Sequence, residues 1–180
     1  QAKIEDKPEV KKAGGVFYTP TYIVDYIVAQ TVGKLLEGRK PGPKGDASKL
    51  TILDPACGSG SFLLGAYQYL LDWHLTQYKQ NPEQWAKGKT PAIFDNGKGW
   101  RLTIDERKRI LLNNIYGVDI DMQAVEVTKL SLLLKVLEGE TEAVAQQKLL
   151  ADRVLPDLDS NIKCGNSLIG PDFYDGQMSL

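Results

Sequence analysis

The feature that most constrains the fold of this chain is a short apolar run that enters a glycine turn and then a helix. Residues 50–53 (LTIL) form a β-prone run, residues 54–61 (DPACGSGS) form the turn, and a helical pattern begins at Phe62. Gly58 and Gly60 lack side chains, so the backbone can bend tightly there and a ligand can approach it closely. A strand that passes directly through a turn into a helix is typical of parallel sheets linked by crossovers.

The same order of strand and helix recurs further along the chain. Residues 115–119 (IYGVD) predict a second buried strand, and residues 122–138 predict a helix after it. The apolar face of this helix is predicted at Val127, Leu130, Leu134 and Leu137. Residues 160–164 are a weaker third strand candidate. The alternation predicts an α/β fold, a partial Rossmann-like parallel sheet flanked by helices, because three strands are too few for a complete doubly wound sheet.

The segments before the first strand predict an arm, a helix and a loop. Residues 1–13 are polar and charged, and we expect them to form a flexible arm ahead of a single domain over residues 14–180. Apolar residues at helical spacing predict a helix from Tyr22 to about Glu37. Residues 38–49 are rich in glycine, proline and lysine and predict a loop.

The stretch between the first and second strands predicts an insertion and a helix. Residues 80–101 contain Pro82, Pro91, Gly97 and Gly99 and are predicted to be irregular. Thr103 and Glu106 have the spacing of a capping box, so a helix should begin there and run to about Asn113.

Composition sets limits on the cellular context and on the partners. No run approaches the roughly 18 apolar residues that a membrane-spanning helix needs, so no membrane partner is expected. The chain has only two cysteines, which favours a reducing cytoplasm over a disulfide framework. Its net charge of −1 lacks the basic excess of a module that neutralises many phosphates, so a main nucleic-acid surface is expected elsewhere in a longer protein. Lys40, Lys44 and Lys49 are interpreted as a solvated loop rather than as phosphate contacts.

The turn at residues 54–61 differs from the two common phosphate-binding turns. It lacks the GxGxxG spacing of a dinucleotide site, and no Gly-Lys-Ser/Thr follows it as in a P-loop. Asp54, at the end of the strand, would repel a pyrophosphate but would suit the cationic sulfonium and amine of S-adenosylmethionine. Taken alone, however, the turn is explained equally well as a structural feature with no ligand.

Polar residues that follow the second and third strands extend the candidate site. A carboxylate at the tip of the second strand can accept hydrogen bonds from both hydroxyls of a ribose, and we assign Asp119 to that role. The alternative is a helix N-cap, for which Asp121 is the better candidate. Ile120 would then cover one face of an adenine ring. Asn166 has a donor and an acceptor for the edge of an adenine, although Gly-Asn is also an ordinary turn pair.

Taken together, these motifs resemble the DNA adenine-N6 methyltransferases of restriction-modification and phage-defence systems. Four segments carry the resemblance in the order that this family shows, namely FYTP (17–20), DPACGSGSFL (54–63), IYGVDID (115–121) and CGNSL (164–168). The resemblance implies a class I methyltransferase fold and the cofactor S-adenosyl-L-methionine. The residues that it implies for cofactor binding are Tyr18, Thr19, Pro20, Asp54, Pro55, Ala56, Gly58, Ser59, Gly60, Phe62, Asp119, Ile120, Asn166 and Ser167.

The sequence also departs from this family. The family transfers the methyl group with an Asn/Asp-Pro-Pro-Tyr/Phe motif, and no such tetrapeptide occurs in the chain. We therefore predict no catalytic residue and no metal site here, and we expect the 180 residues alone to be inactive. Double-stranded DNA would bind through parts beyond this chain, and a specificity or restriction subunit is a further candidate partner. The alternatives are a methyltransferase acting on RNA or on protein glutamine, and a non-catalytic module that binds S-adenosylmethionine.

Two residues with chemically active side chains are interpreted as packing residues. His74 continues the helical face of Leu63, Tyr67 and Leu70, so we expect it at the edge of the core. Cys57 lies in the glycine turn without a partner base, so we do not expect it to be a nucleophile.

Overall fold

The computed structural model of the chain describes residues 19–139 and 155–169. The predicted arm over residues 1–13 and the candidate residue Tyr18 lie outside the described residues. The elements of the described parts are, in chain order, α1 (Thr21–Val28), a π-helical turn (Ala29–Gly33), α2 (Lys34–Leu36), a 3-10 turn (Asp46–Lys49), β1 (Ile52–Asp54), α3 (Ser61–Tyr78), α4 (Pro82–Trp85), β2 (Ile93–Asp95), β3 (Trp100–Leu102), α5 (Ile104–Asn114), β4 (Ile115–Asp119), α6 (Met122–Leu137) and β5 (Ile162–Cys164).

The central sheet has three parallel strands in the order β1–β4–β5. Leu53 of β1 pairs with Tyr116 of β4, and Val118 of β4 pairs with Lys163 of β5. The carboxyl ends of all three strands therefore lie at the same edge of the sheet. This arrangement confirms the predicted α/β fold with a parallel sheet and helices beside it, consistent with a partial class I methyltransferase fold.

Helix α3 lies directly against the sheet at Gly117 of β4. A Cβ atom at Gly117 would lie 2.6 Å from Cδ1 of Leu63 and 3.1 Å from Sγ of Cys57, so a larger residue there would require these side chains to shift. The predicted inner face of α3 is confirmed, since Leu63, Tyr67 and Leu70 are buried. On the opposite face of the sheet, Leu53 is 59% exposed.

The first helix packs on α3 through a ridge of residues spaced four apart. Its regular geometry is interrupted by the π-helical turn and resumes in α2, so the helix predicted over residues 22–37 is confirmed to within one residue at each end. A Cβ atom on Gly65 of α3 would lie 2.4 Å from Cγ1 of Val24, which shows how closely the two helices approach. The buried residues of the ridge are Val24, Val28, Val32 and Leu36.

The prediction of an irregular insertion over residues 80–101 was wrong. The segment contains the short helix α4 and an antiparallel hairpin of β2 and β3, in which Ile93 pairs with Leu102. Strands of three residues are too short to show the alternation that identifies a strand in a sequence. The turn of the hairpin contains Gly97 and Gly99, both with positive φ, and Ile93 and Leu102 are buried.

The predicted apolar face of α6 was also largely wrong. Val127, Leu130 and Leu134 are 50%, 58% and 59% exposed, and only Leu137 of the predicted set is buried. Apolar residues occupy most sides of this helix, so its sequence does not distinguish the inner face from the outer one. The other buried residues of α6 are Val125, Thr128, Leu132 and Val136.

Helix α5 begins at the predicted cap. The side chain of Thr103 accepts a hydrogen bond from the backbone N–H of Glu106 at 3.3 Å. The carboxylate of Glu106 does not complete the reciprocal half of a capping box, because it binds Tyr78 and Arg109 instead. The helix ends at Asn114, one residue beyond the prediction, and β4 has the predicted bounds.

His74 is completely buried near the end of α3, which confirms its assignment as a packing residue. Its Nδ1 atom lies 2.9 Å from the carbonyl oxygen of Leu70. Its Nε2 atom is buried and has no hydrogen-bond partner among the described residues. The ring of Trp73 packs edge-on against it, with the ring centroids 4.8 Å apart. Burial therefore lowers the pKa of His74 from its ordinary value of 6.5 to about 4.

This depressed pKa predicts that the chain loses stability as the pH falls from 6.5 to about 4. In that range the unfolded chain binds a proton at His74 that the folded chain excludes, so folding becomes less favourable by up to about 3 kcal/mol. Below about pH 4 both states carry the proton and the loss stops growing. His74 is the only histidine, so urea unfolding of wild type and His74→Phe at several pH values isolates its contribution. Parallel pH profiles for the two proteins would contradict the prediction.

Within the described parts of the chain, no helix combines the length and the apolar character that crossing a membrane requires.

Candidate functional site

The predicted site residues that follow the three parallel strands lie at one edge of the sheet. The glycine turn follows β1, Asp119 ends β4, and the segment from Gly165 to Ser167 follows β5. The strand order β1–β4–β5 places the β4 end between the other two. In open α/β sheets, ligands bind in the crevice outside the carboxyl ends of the strands.

The glycine turn adopts a backbone conformation that side chains oppose. Gly58 and Gly60 have φ values of 52° and 84°, in the left-handed region that favours glycine. The backbone N–H of Cys57 donates to the carbonyl oxygen of Val118 at 2.9 Å, and the N–H of Gly60 donates to the carbonyl oxygen of Cys57 at 2.8 Å. The first bond fixes the turn against the neighbouring strand β4, and the second closes the turn on itself.

The carboxylate of Asp119 links the end of β4 to the glycine turn. Its Oδ2 accepts a hydrogen bond from the N–H of Gly58 at 2.7 Å, although the two residues are 61 positions apart. Its Oδ1 accepts from the N–H of Asp121 at 2.9 Å. Each carboxylate oxygen has a second lone pair for a ligand. Asp121 is the N-cap of α6, as predicted, because its side chain accepts from the N–H of Gln123 at 2.8 Å.

Asp54 and Asp119 make the surroundings of the turn negative. Oδ1 of Asp54 accepts a hydrogen bond from the N–H of Ala56 at 3.1 Å, which closes the start of the turn. Burial, and then the charges of Asp54 and Asp119, raise the pKa of the Cys57 thiol to about 11. The thiol therefore stays protonated at neutral pH and is a poor nucleophile. The two carboxylates favour a cationic ligand at this edge and disfavour an anionic one.

The segment after β5 joins the same edge through its backbone. The N–H of Gly165 donates to the carbonyl oxygen of Asp119 at 2.9 Å. Oδ1 of Asn166 accepts from the N–H of Leu168 at 3.0 Å, so part of its side chain forms the ordinary turn that was the alternative interpretation. Ser167 is exposed. Ile120, assigned to an adenine face, lies between the end of β4 and the N-cap of α6 and is 74% exposed.

The candidate residues nearer the start of the chain lie around α1 and α3. Thr19 and Ser61 line a cavity of about 370 Å³ between these two helices, and Pro20 immediately precedes α1. A second cavity, of about 280 Å³, lies between α1, β1 and α3. The candidate residues that line it are Asp54, Pro55 and Phe62.

Thr128 is a residue of this edge that the sequence did not identify. It lies on α6, is fully buried, and its hydroxyl donates to the carbonyl oxygen of Gly58 at 2.9 Å. No local pattern indicates this contact, because a threonine within an apolar helix has the same appearance whether or not it binds a distant turn.

Comparison with known protein families assigns the fold to a functional class. The profile of the family described as "MmeI, DNA-methyltransferase domain" matches residues 44–171, which include the glycine turn, Asp119 and the turn after β5. The chain belongs to this family. The MmeI-type domain is a methyltransferase domain of enzymes of the restriction-modification type.

Three curated relatives are similar to this chain. The chain is 38% identical over 157 residues to the type II restriction enzyme and methyltransferase RM.Eco57I of Escherichia coli, covering 86% of this chain and 14% of the relative. It is 39% identical over 126 residues to the putative type II restriction enzyme and methyltransferase RM.MjaORFECS2P of Methanocaldococcus jannaschii, covering 69% and 9%. It is 28% identical over 161 residues to the adenine-specific methyltransferase BrxX of Escherichia coli O9:H4, covering 73% and 11%.

The chain thus spans 14% or less of the length of each of these relatives.

Proposed function

We propose that this chain is the S-adenosylmethionine-binding part of a DNA adenine-N6 methyltransferase. The observation that carries the proposal is the hydrogen bond from the Gly58 N–H to the Asp119 carboxylate. This bond brings the glycine turn and the end of β4, the two proposed cofactor motifs, together on one surface. Membership of the MmeI-type family supports methyl transfer. The name of the relative BrxX supports adenine as the acceptor.

The chemistry of the residues fits a cationic nucleoside as ligand. A Cβ atom at Gly58 would meet no atom within 4 Å, so the backbone of the turn is open on that side. Asp54 and Asp119 are negative at the same edge, which suits a sulfonium and an ammonium group and opposes a pyrophosphate. The Asp119 carboxylate can also accept hydrogen bonds from ribose hydroxyls, as in other nucleotide-binding α/β folds.

Each candidate residue has a role in this proposal. Asp54 and the backbone of the turn, from Pro55 to Gly60, hold the methionine part, with Thr19 and Phe62 beside it. Asp119 binds the ribose. The adenine of the cofactor lies between Ile120 and the segment of Asn166 and Ser167. Tyr18 and Pro20 complete the methionine end, as the family resemblance implies.

The contribution of the chain to catalysis is positioning. When bound, S-adenosylmethionine supplies an electrophilic methyl group on a sulfonium centre. Holding that centre in line with the acceptor nitrogen lowers the barrier by several kcal/mol, about 7–11 kcal/mol for ideally oriented groups. Enzymes that modify a base in duplex DNA rotate it out of the stack, and we propose that residues elsewhere in the full-length protein present that base. Double-stranded DNA, and a specificity or restriction subunit, are the proposed partners of those other parts.

The proposal predicts that the chain binds S-adenosylmethionine and not NAD. Calorimetric titration of the purified chain with S-adenosylmethionine, adenosine and NAD tests it directly. We expect S-adenosylmethionine to bind most tightly, adenosine more weakly because it lacks the charged methionine part, and NAD not at all because its pyrophosphate meets Asp54. Binding of NAD, or equal binding of adenosine and S-adenosylmethionine, would contradict the assignment of the acidic turn.

The acceptor is tested on the full-length protein. With isotopically labelled cofactor, we expect the label in N6-methyladenine of double-stranded DNA, identified by mass spectrometry of the digested nucleosides. Matched RNA and protein substrates are the controls. Label in either of these, with none in DNA, would contradict the proposed acceptor while leaving the cofactor assignment intact.

A further inference from the structure

Thr128 lies near the start of helix α6, and its side chain contacts the glycine turn that precedes helix α3. Its side chain is fully buried, and its Oγ1 donates to the carbonyl oxygen of Gly58 at 2.9 Å across a separation of 70 residues. A threonine inside a helix commonly bonds to a carbonyl of its own preceding turn. The hydroxyl of Thr128 instead satisfies an acceptor of the candidate cofactor turn.

Thr128 and Asp119 both bind the backbone of Gly58, one at its carbonyl and the other at its N–H. The carbonyl of Gly58 accepts from Thr128, and the N–H of Gly58 donates to Oδ2 of Asp119 at 2.7 Å. Because both backbone groups of Gly58 are bonded, the orientations of the peptide groups on either side of it are fixed. Those orientations determine where the open surface of the turn faces.

Thr128 also limits the space beside Gly60. A Cβ atom at Gly60 would lie 2.8 Å from Cγ2 and 2.9 Å from Oγ1 of Thr128, so the backbone of the turn packs directly on this side chain. Gly60 is buried and has a φ of 84°. The threonine side chain therefore contacts the turn both through its hydroxyl and through its methyl group.

Asp119 and Thr128, the two residues that bond to Gly58, lie in consecutive elements of the chain, β4 and α6. Asp119 ends β4, Asp121 caps α6, and Thr128 lies about two helical turns further along. The segment that carries the proposed ribose ligand thus also sets the conformation of the turn proposed to hold the methionine part.

We propose that Thr128 is a positioning residue for cofactor binding, whose hydroxyl holds the glycine turn in its binding conformation. This inference rests on the proposed function of the turn. A purely structural threonine would stabilise the whole domain without a particular effect on the turn. A positioning residue changes the local opening of the turn and the affinity for the ligand that the turn contacts.

The test compares wild type, Thr128→Val and Thr128→Ser in the 180-residue chain. Valine keeps the shape and removes the hydroxyl, whereas serine keeps the hydroxyl and removes the methyl group. Hydrogen exchange of the amides of residues 57–60 is measured without ligand, and S-adenosylmethionine affinity is measured by calorimetry. For Thr128→Val we expect about tenfold faster exchange and about tenfold weaker binding, the effect of one buried hydrogen bond. Thr128→Ser should restore both.

The outcomes separate this inference from the function on which it rests. Wild-type exchange rates at residues 57–60 in Thr128→Val would overturn the role of Thr128. Faster exchange throughout β4 and α6 as well would also overturn it, because it would indicate a general structural role. If Thr128→Val does not fold, the S-adenosylmethionine affinity of Thr128→Ser decides whether the hydroxyl matters. This variant keeps the hydroxyl, so a loss of affinity in it would contradict a role for that group. A wild-type chain that binds no S-adenosylmethionine would overturn the proposed function, while the exchange rates would still decide whether Thr128 holds Gly58.

Discussion

Replacing Asp119 by alanine is expected to weaken S-adenosylmethionine binding by at least about 100-fold, because hydrogen bonds to a charged group contribute about 1.5–3 kcal/mol each. The substitution removes the proposed acceptor of the ribose hydroxyls. It also releases the N–H of Gly58, which donates to Oδ2 at 2.7 Å, so Gly58 loses one of the two hydrogen bonds that hold its backbone groups. Asp119→Asn keeps one acceptor oxygen but loses the charge, and we expect an intermediate loss. Calorimetric titration of the three proteins measures the effect.

Asp121→Ala is the matched control, because Asp121 is a carboxylate two positions away with a different role. Its side chain caps α6 by accepting from the N–H of Gln123. Loss of an N-cap costs about 1 kcal/mol of stability, and we expect nearly unchanged cofactor affinity. If Asp119→Ala bound as tightly as wild type, or if Asp121→Ala lost as much affinity, the ribose would have to be assigned elsewhere.

The elements around the site could be predicted because their signals are local. The turn could be recognised from its glycines, because glycine tolerates positive φ, and both Gly58 and Gly60 have a positive φ. The strand over residues 115–119 has the predicted bounds, because its apolar run is limited by a helix end and by a capping aspartate. Assigning the cap to Asp121 rather than Asp119 was correct for the same reason, since an N-cap is defined by the residues next to it.

The contacts that join these elements could not be predicted, because they depend on distant parts of the chain. The bonds from Gly58 to Asp119 and from Thr128 to Gly58 each span more than 60 residues. No spacing in the sequence encodes them, since they exist only after the strands have taken the order β1–β4–β5. The role of Glu106 was missed similarly, because its position after Thr103 suggested a capping partner and gave no sign of Tyr78.

The helix face on α6 was predicted wrongly for another physical reason. Burial of one face can be read from a sequence only when the other faces are polar. Residues 127, 130 and 134 are apolar but exposed, while Thr128 is polar but buried. The polar residue is buried because its hydroxyl has a partner in the glycine turn, and this contact outweighs the local pattern.

Replacing Glu106 by alanine is expected to destabilise the folded chain by about 3–5 kcal/mol, the typical effect of removing one partner of a buried ion pair. The carboxylate of Glu106 is 6% exposed and binds Arg109 through two hydrogen bonds, at 2.8 Å to Nε and 2.6 Å to Nη2. It also accepts a hydrogen bond from the buried hydroxyl of Tyr78. Without it, a largely buried guanidinium and a buried phenol lose their acceptor. Urea unfolding of the two proteins measures the difference in the free energy of unfolding.

Two further variants distinguish this buried pair from ordinary surface charge. Glu106→Gln keeps an acceptor for Tyr78 but loses the charge opposite Arg109, so it should lose less stability than Glu106→Ala. Glu83 pairs with Lys87 on the exposed surface, and Glu83→Ala should change stability by less than about 1 kcal/mol, as is usual for such pairs. Equal effects of Glu106→Ala and Glu83→Ala would mean that the Glu106 pair contributes no more than surface charge. In that case the junction of α3 and α5 would depend on its other contacts, among them the hydrogen bond that the Tyr67 hydroxyl donates to the carbonyl oxygen of Arg107 at 2.9 Å.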